Sequence, residues 1–452
     1  MDNVLDLFDQ TVFDGERATG ATNLLQVVWV YNHAIDIDGL REFHRQLQLG
    51  RLSRRIEHSP LPFGRHRWVS PDNGPELEIA STPLPRDEFD AWLSEQADTP
   101  LDAARGPGWH LAVLPFTDGG AGVSLVISHC LADGVGLCEA LADAASGRRD
   151  PIAWPAAGSR RRWHAVREDA RQTIRDIPAI GRAVAVAAGI ARRGNEAAAS
   201  GSPSLVVPPV EVDEVVSLPT ATVFVDADEW DSRAGALGGT ANSLLAGLAS
   251  RIALRAGRLS ADGSVALTLP VSERTADDTR ANAITNIDIS VDPYSAPFDL
   301  RDVRSTVKHA LIRSKDVLNE RWKLLPIAPL LPQWLIRRCV GVSAGSAASV
   351  ISSNLGVVDP AAYRPDGTDA DQFVIRTLGP GVTKATMHRL GGLLVVLAGR
   401  TQGRVFVSVL AYEPGGSNTN DALRQNLSGA LSDFLLTSTT GWACPETIGA
   451  VR

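Results

Sequence analysis

Residues 129–134 read His-Cys-Leu-Ala-Asp-Gly, and here the side-chain types and their spacing best suit catalysis. An imidazole can accept a proton near neutral pH, which is what a general base must do. The apolar run before it predicts a buried strand over Val123–Ile127, and the residues from about Val135 to Ala145 predict a helix. His129–Gly134 then forms the tight turn between the two, so the imidazole projects from a rigid edge. Gly134 permits a backbone angle or a close approach that a Cβ would obstruct. A plainer reading stays open at this level: His129 bonds a nearby carbonyl, and Asp133 merely caps the following helix.

Cys130 and Ser128 flank the histidine as potential nucleophiles. Successive side chains at a strand end point to opposite sides, so a His129 facing substrate turns Cys130 away. A thiol facing the core also resists ionisation, whereas a nucleophilic cysteine needs a depressed pKa and access. Ser128 meets the same geometric objection.

The elements that must position these residues fall into two mixed α/β halves. In the first, LLQVVWVY (24–31) reads as a buried strand, and IDIDGLREFHRQLQLGRL as a helix with Asp38 as its N-cap. Strands are expected around Arg67–Val69 and over Trp109–Pro115. Residues 160–193 read as one or two surface helices with basic ends. GNEAAASGSPSLVVPPVEVDE has the composition of a linker. The expected division is therefore a first half over 1–195, a crossover over 196–215 and a second half over 216–452. In that second half TATVFVDADEW opens with a strand, Thr240 can cap the helix of TANSLLAGLASRIALRAG, and GRTQGR is a hairpin turn between apolar strands. VALTLPVSE, TNIDISVDP and ASVISSNLGVV supply further strands, and a last helix runs from about Asn420 to Leu435.

A chain of 452 residues is long enough for two sizeable cores, and its net charge of −8 argues against nucleic acid as a partner. Cys130, Cys138, Cys339 and Cys444 lack the spacing of a disulfide framework or a zinc site. They fit a reducing, cytoplasmic setting. The N-terminus lacks the basic and apolar regions of a secretory signal. LLPIAPLLPQWLI (324–336), the longest apolar candidate, is cut by Pro326, Pro329 and Pro332, too short to span a bilayer and suited at most to peripheral lipid contact. GxSxG is missing, and GERATG lacks the ending of a P-loop. His58, His66 and His388 have no metal-ligand company, so no metal is expected. Arg65 and Arg67 are candidates for a phosphate of coenzyme A.

The HxxxDG motif after a buried strand resembles that of condensation domains, chloramphenicol-acetyltransferase-like enzymes, wax ester synthases and polyketide-associated acyltransferases. Further stretches are similar in the same order: FHRQLQLGRLSRRIE, PLDAARGPGWHLAVLPF, TANSLLAGLASRI, LTLPVSERT, ANAITNIDISVDP and SSNLGVV. The resemblance implies an α/β fold of two related subdomains, each an α+β two-layer sandwich, forming a V around a central tunnel. It implies acyl transfer from a thioester, acyl-CoA or an acylated carrier protein, to a hydroxyl or amine, with no further cofactor. His129 is then the base, Asp133 and Gly134 support its loop, and Arg274 of PVSER is the partner for Asp133. Ser128, Asn354 and Gly356 are expected along the substrate channel. Ser128 stands where condensation domains usually carry a second histidine, which favours a freestanding acyltransferase. The alternatives are a freestanding amide-forming enzyme and a non-catalytic binding module of the same fold. The small-residue and leucine-rich segments suit a lipid or hydrophobic natural product as acceptor.

Overall fold

The structure is a computed structural model describing residues 3–71, 74–148, 153–199, 214–275, 278–316, 320–339 and 350–442. The crossover expected over 196–215 lies largely outside these residues, as does Cys444. What is described of it at the start is helical, because the helix Arg162–Ala199 runs on through residues 196–199. The basic segment before it is thus one long helix, with Pro178 inside.

Two open sheets organise the chain, each flanked by helices. The first has the strand order Gln372–Leu378, Leu24–Tyr31, Ala121–Ser128, Trp109–Pro115 and Leu77–Ile79. Every residue of Leu24–Tyr31 and Ala121–Ser128 is buried, because both faces of this sheet are covered. That explains their near-continuous apolar runs. The second sheet orders Thr439–Thr440, Thr220–Asp226, Arg404–Tyr412, Leu393–Thr401, Val350–Val357, Val265–Ser272 and Ile284–Val291. Its hairpin turn at Gln402 and Gly403 has positive φ at both positions, 33° and 72°, as a two-residue turn matched to strand twist requires.

The sequential division into halves does not coincide with the division into sheets. Gln372–Leu378 belongs to the second half by position but pairs antiparallel with Leu24–Tyr31 in the first sheet. Sequence patterning did not single it out. Its Phe373 meets Trp29 edge-on, and the Trp29 indole N–H donates to the Ala362 carbonyl at 2.9 Å. One hydrophobic core therefore contains Trp29, Phe43 and Leu137 together with Tyr363, Phe373 and Phe406. A separate core lies behind the second sheet, around Leu244, Leu248, Leu427 and Phe434.

Local capping settles two expectations. Thr240 caps the helix Ala241–Arg255, and Ser243 returns the bond to the Thr240 amide at 2.6 Å, forming a capping box. Asp38 is not the cap of the helix Ile37–Leu47. Asp36 is, accepting from the amides of Asp38 and Gly39 at 3.0 and 3.2 Å, because its extended backbone turns the carboxylate onto the first turn. Asp38 lies inside that turn and pairs with Arg41. The proline-rich apolar segment forms a 3-10 turn, Leu325–Leu330, and a helix, Gln333–Cys339, packed beside the helices Leu7–Thr19 and Arg162–Ala199.

Gly39 marks how tightly the second half closes on the first. A Cβ there would lie 2.3 Å from the Asp366 carbonyl oxygen, whereas a Cβ at Gly15, also helical, meets nothing within 4 Å. Alanine normally stabilises a helix interior by about 0.5–1 kcal/mol over glycine. Gly15→Ala should show that gain in chemical denaturation. Gly39→Ala should instead lose about 1–3 kcal/mol, because backbone must move.

Candidate active site

The histidine loop is held from every side. The strand Ala121–Ser128 ends against Leu24, and the His129 amide donates to the Asn23 carbonyl at 2.9 Å. The Leu131 amide folds back on the Ser128 carbonyl (2.9 Å), and the Asp133 amide reaches the Ala281 carbonyl (2.9 Å) in the second half. Two side chains complete the clamp: Asn282 donates to the His129 carbonyl at 3.2 Å, and Arg54 to the Leu131 carbonyl at 2.7 Å. The helix Gly134–Ala145 then begins, with Asp133 as its N-cap.

Both oxygens of Asp133 are bonded to groups other than the imidazole. Its Oδ1 accepts from the Gly136 amide at 2.6 Å, and its Oδ2 accepts from Arg274 Nη2 at 2.6 Å and from the Ala283 amide at 2.8 Å. Both side chains of the ion pair are 3% exposed. Arg274 also donates to the carbonyls of Arg280 and Ala281 at 3.1 and 2.9 Å. The cap that the plain reading assigned to Asp133 and the support that the resemblance implied are thus one arrangement. His129 itself is half-buried, and no hydrogen bond or ion pair ties its ring to another described residue. A clamped backbone carrying an uncommitted imidazole can accept a proton from a bound molecule.

Four residues in this network were not singled out in the sequence. Asp9, fully buried, accepts from the Ala281 amide (2.9 Å) and from the Asn282 amide and side chain (2.8 and 3.0 Å), so the first helix holds the same segment that Asp133 holds. Burial pushes its carboxyl up to about 6 against those bonds. Arg54 lies with its guanidinium over the Trp68 ring at 4.1 Å, and burial lowers its pKa to about 10. Asn282 falls within the quoted ANAITN stretch; Asp9 and Arg54 carried no signal, because an acid in an acidic helix and one arginine of a pair read as surface residues. Glu16 is the fourth. Its Oε1 accepts from the Asn23 amide at 2.8 Å and its Oε2 from the Cys130 thiol at 3.2 Å, and burial pushes its carboxyl up to about 7.

The flanking candidates separate. Cys130 has no exposure, and burial together with the Glu16 carboxylate raises its thiol pKa well above the ordinary value. Ser128 is not placed as a channel residue: it is 1% exposed, and its hydroxyl accepts the Cys130 amide at 3.2 Å. Across the sheets, Leu355 of the strand Val350–Val357 covers Gly134 so closely that a Cβ there would lie 2.6 Å from its methyl. Its neighbour Asn354 donates to Asn242 and accepts the Gly356 amide at 2.9 Å, with Gly356 at a φ of 71°. The second half is therefore brought to the motif helix at Leu355. Two clefts among the described residues, one beside Arg55 and Trp109 and one beside Asp371 and Arg404, are not lined by His129. Arg65 and Arg67 do not stand ready for a phosphate, since they pair with Asp176 and Asp169 of the long helix at 3.4 and 3.2 Å. His58 and His66 pack ring to ring at 4.8 Å, beside Phe13.

The sequence matches no family model and no curated protein. Solved structures do match over nearly the whole chain. The first condensation domain of the calcium-dependent antibiotic synthetase, in complex with a substrate analogue, aligns at a TM-score of 0.55 and 14% identity, over 97% of this chain and 99% of that one. This chain has the condensation-domain and chloramphenicol-acetyltransferase-like fold. A wax ester synthase/diacylglycerol acyltransferase from Marinobacter aquaeolei VT8 shares that fold at 0.54 and 14% identity, over 96% and 98% of the two chains. A nonribosomal peptide synthetase aligns at 0.53 and 19% identity over 96% of this chain, which spans only 41% of that larger protein. In this condensation-type fold the histidine loop is anchored by both halves at once.

Two measurements test the network. Removing one partner of a buried ion pair typically costs about 3–5 kcal/mol, so Asp133→Ala and Arg274→Ala should each destabilise strongly. The double variant should lose clearly less than their sum; strict additivity would refute the coupling. For Glu16 the raised carboxyl pKa means that the folded state binds its proton more tightly than the unfolded chain does. Its contribution is fully present below the ordinary carboxylate pKa and is lost as pH rises through about 7. Unfolding free energies at pH 5 and pH 8 should therefore differ less in Glu16→Gln than in the parent, by up to about 3 kcal/mol. Equal differences would contradict this account.

Proposed function

We propose that the protein is an acyltransferase that moves an acyl group from a thioester, acyl-CoA or acyl carrier protein, to a hydroxyl or amine of a hydrophobic acceptor. The observation that carries this reading is the uncommitted His129 imidazole on a backbone clamped by Asn23, Asn282, Arg54 and Ala281. The fold shared with condensation domains and a wax ester synthase supports the reaction class.

In this mechanism His129 takes the proton of the acceptor O–H or N–H as the heteroatom attacks the thioester carbonyl. The tetrahedral adduct collapses, the C–S bond breaks, and the imidazolium returns the proton to the departing thiolate. Acyl donor and acceptor are bound together, in a tunnel between the halves, with Asn354 and Gly356 along the substrate channel. Asp133 and Arg274 act on the loop, not on substrate, since both side chains are only 3% exposed and are bonded to its backbone and to residues 280–283. Transfer is direct. Cys130, the adjacent nucleophile, is fully buried against a carboxylate that opposes its ionisation. A reducing cytoplasmic setting suits its free thiol and that of Cys138.

Mass spectrometry after incubation with mixed acyl-CoAs and a cell extract should reveal an acylated product. Loss of a general base costs roughly 10²–10⁴-fold in rate, so His129→Ala should fold normally and lose most turnover. Cys130→Ala should keep substantial activity. Turnover near the parent level in His129→Ala, or an acyl group on Cys130 or Ser128 by intact mass, would overturn the mechanism.

A further inference from the structure

The helix Arg162–Ala199 buries little of itself, and between Trp163 and Val184 its large exposed side chains are ordered by type, whereas Ile190 and Arg192 further on fall outside that order. Trp163 is 84% exposed, Ile174 63%, Ile177 57% and Val184 53%. At about 100° per residue these four fall within an arc of roughly 80° on the helix surface. They form a line some 30 Å long, at about 1.5 Å per residue. Isolated exposed apolar residues need no explanation, but four of this size on one line do.

Charge is sorted in the same way. Between positions 160 and 192 there are eight arginines and three acids, in a chain whose net charge is −8. Arg167, Arg171, Arg175 and Arg182 are all exposed, and at about 100° per residue they occupy the arc next to the apolar line. The acids do not neutralise them. Asp169 faces inward at 1% exposure, bound to Ser59, Arg67 and Arg160; Asp176 pairs with Arg65 and Glu168 with Arg160. Beside this helix the proline-broken segment exposes Leu330 and Trp334.

We propose that this helix docks the protein on an anionic lipid surface, lying in the interface with Trp163, Ile174, Ile177 and Val184 among the acyl chains and the arginine stripe on lipid phosphates. A large apolar face bordered by arginines is what an interfacial helix requires. Attachment is peripheral, since no helix among the described residues is long and apolar enough to cross a membrane. A second copy is the poorer occupant. In an antiparallel symmetric pair the two arginine stripes would lie on the same side of the contact, and in either symmetric pair the helix's acids are already engaged by arginines of the same chain. The proposal stands independently of the acyl-transfer reading.

The test is co-sedimentation of the full chain with phosphatidylcholine vesicles with and without phosphatidylglycerol. Binding should require phosphatidylglycerol and weaken as salt rises. Each arginine near an anionic surface is worth roughly fivefold in partition, so Arg167→Glu, Arg171→Glu and Arg175→Glu together should lower it by more than about 100-fold. Ile174→Asp with Ile177→Asp should lower it at least about tenfold. Both variants should keep the parent melting temperature, which separates lost docking from lost folding. Absence of parent binding, equal binding to both vesicle types, unchanged binding in either variant, or a dimer abolished by the aspartate pair would overturn the proposal.

Discussion

Four charges buried at one place join the two halves beneath the histidine loop. Asp133 and Arg274 form a direct ion pair, and Asp9 and Arg54 lie against the same segment, residues 279–283. Each alone would be unfavourable away from water, where removing a charge from solvent costs several kcal/mol. The cost is offset by making every charge a receiver or donor of backbone bonds as well. Asp133 caps a helix and holds Ala283; Asp9 holds Ala281 and Asn282; Arg54 holds Thr279 and Leu131; Arg274 holds Arg280 and Ala281. The second half is thereby fixed on the first through its backbone, at the point where His129 emerges.

The position of His129 follows from that constraint. The proposed mechanism needs His129 to stay put while reactants come and go, and a loop of six residues does not hold itself rigid. Here the amide and carbonyl of His129 are each bound by residues distant in sequence, Asn23 and Asn282. The acid in the motif is bonded to the Gly136 and Ala283 amides and to Arg274, contacts that fix geometry. Leu355 adds a packing contact, since a Cβ at Gly134 would force its methyl to shift.

Legibility in the sequence tracked the range of the interactions. The strand-turn-helix around His129 could be read locally, as could the Thr240 cap and the Gln402–Gly403 turn, because apolar period and turn chemistry are properties of neighbouring residues. The Asp133–Arg274 contact was reachable only through resemblance, since nothing in either residue's surroundings names the other. Asp9 and Arg54 stayed hidden for a related reason. Their burial is created by parts of the fold far along the chain, so their own neighbourhoods look solvated. Ser128 illustrates the opposite error: its place beside the histidine suggested a lining residue, but strand geometry turns its hydroxyl back into the turn. Arg65 and Arg67 looked available for a ligand until the long helix supplied their carboxylates.

The strand that the second half lends to the first sheet has a consequence for synthesis on the ribosome. Val30 pairs with Gln372, so Leu24–Tyr31 waits for a partner made about 340 residues later. At roughly 5–20 residues per second that interval is about 17–70 s, long against the time in which local structure forms. During it the nascent chain presents an open edge with the sequence LLQVVWVY, β-prone and uncharged. The same segment that makes the finished sheet dense is thus exposed to misassembly during synthesis. Its yield in cells should depend on chaperone capacity and elongation speed more than the stability of the completed fold alone suggests.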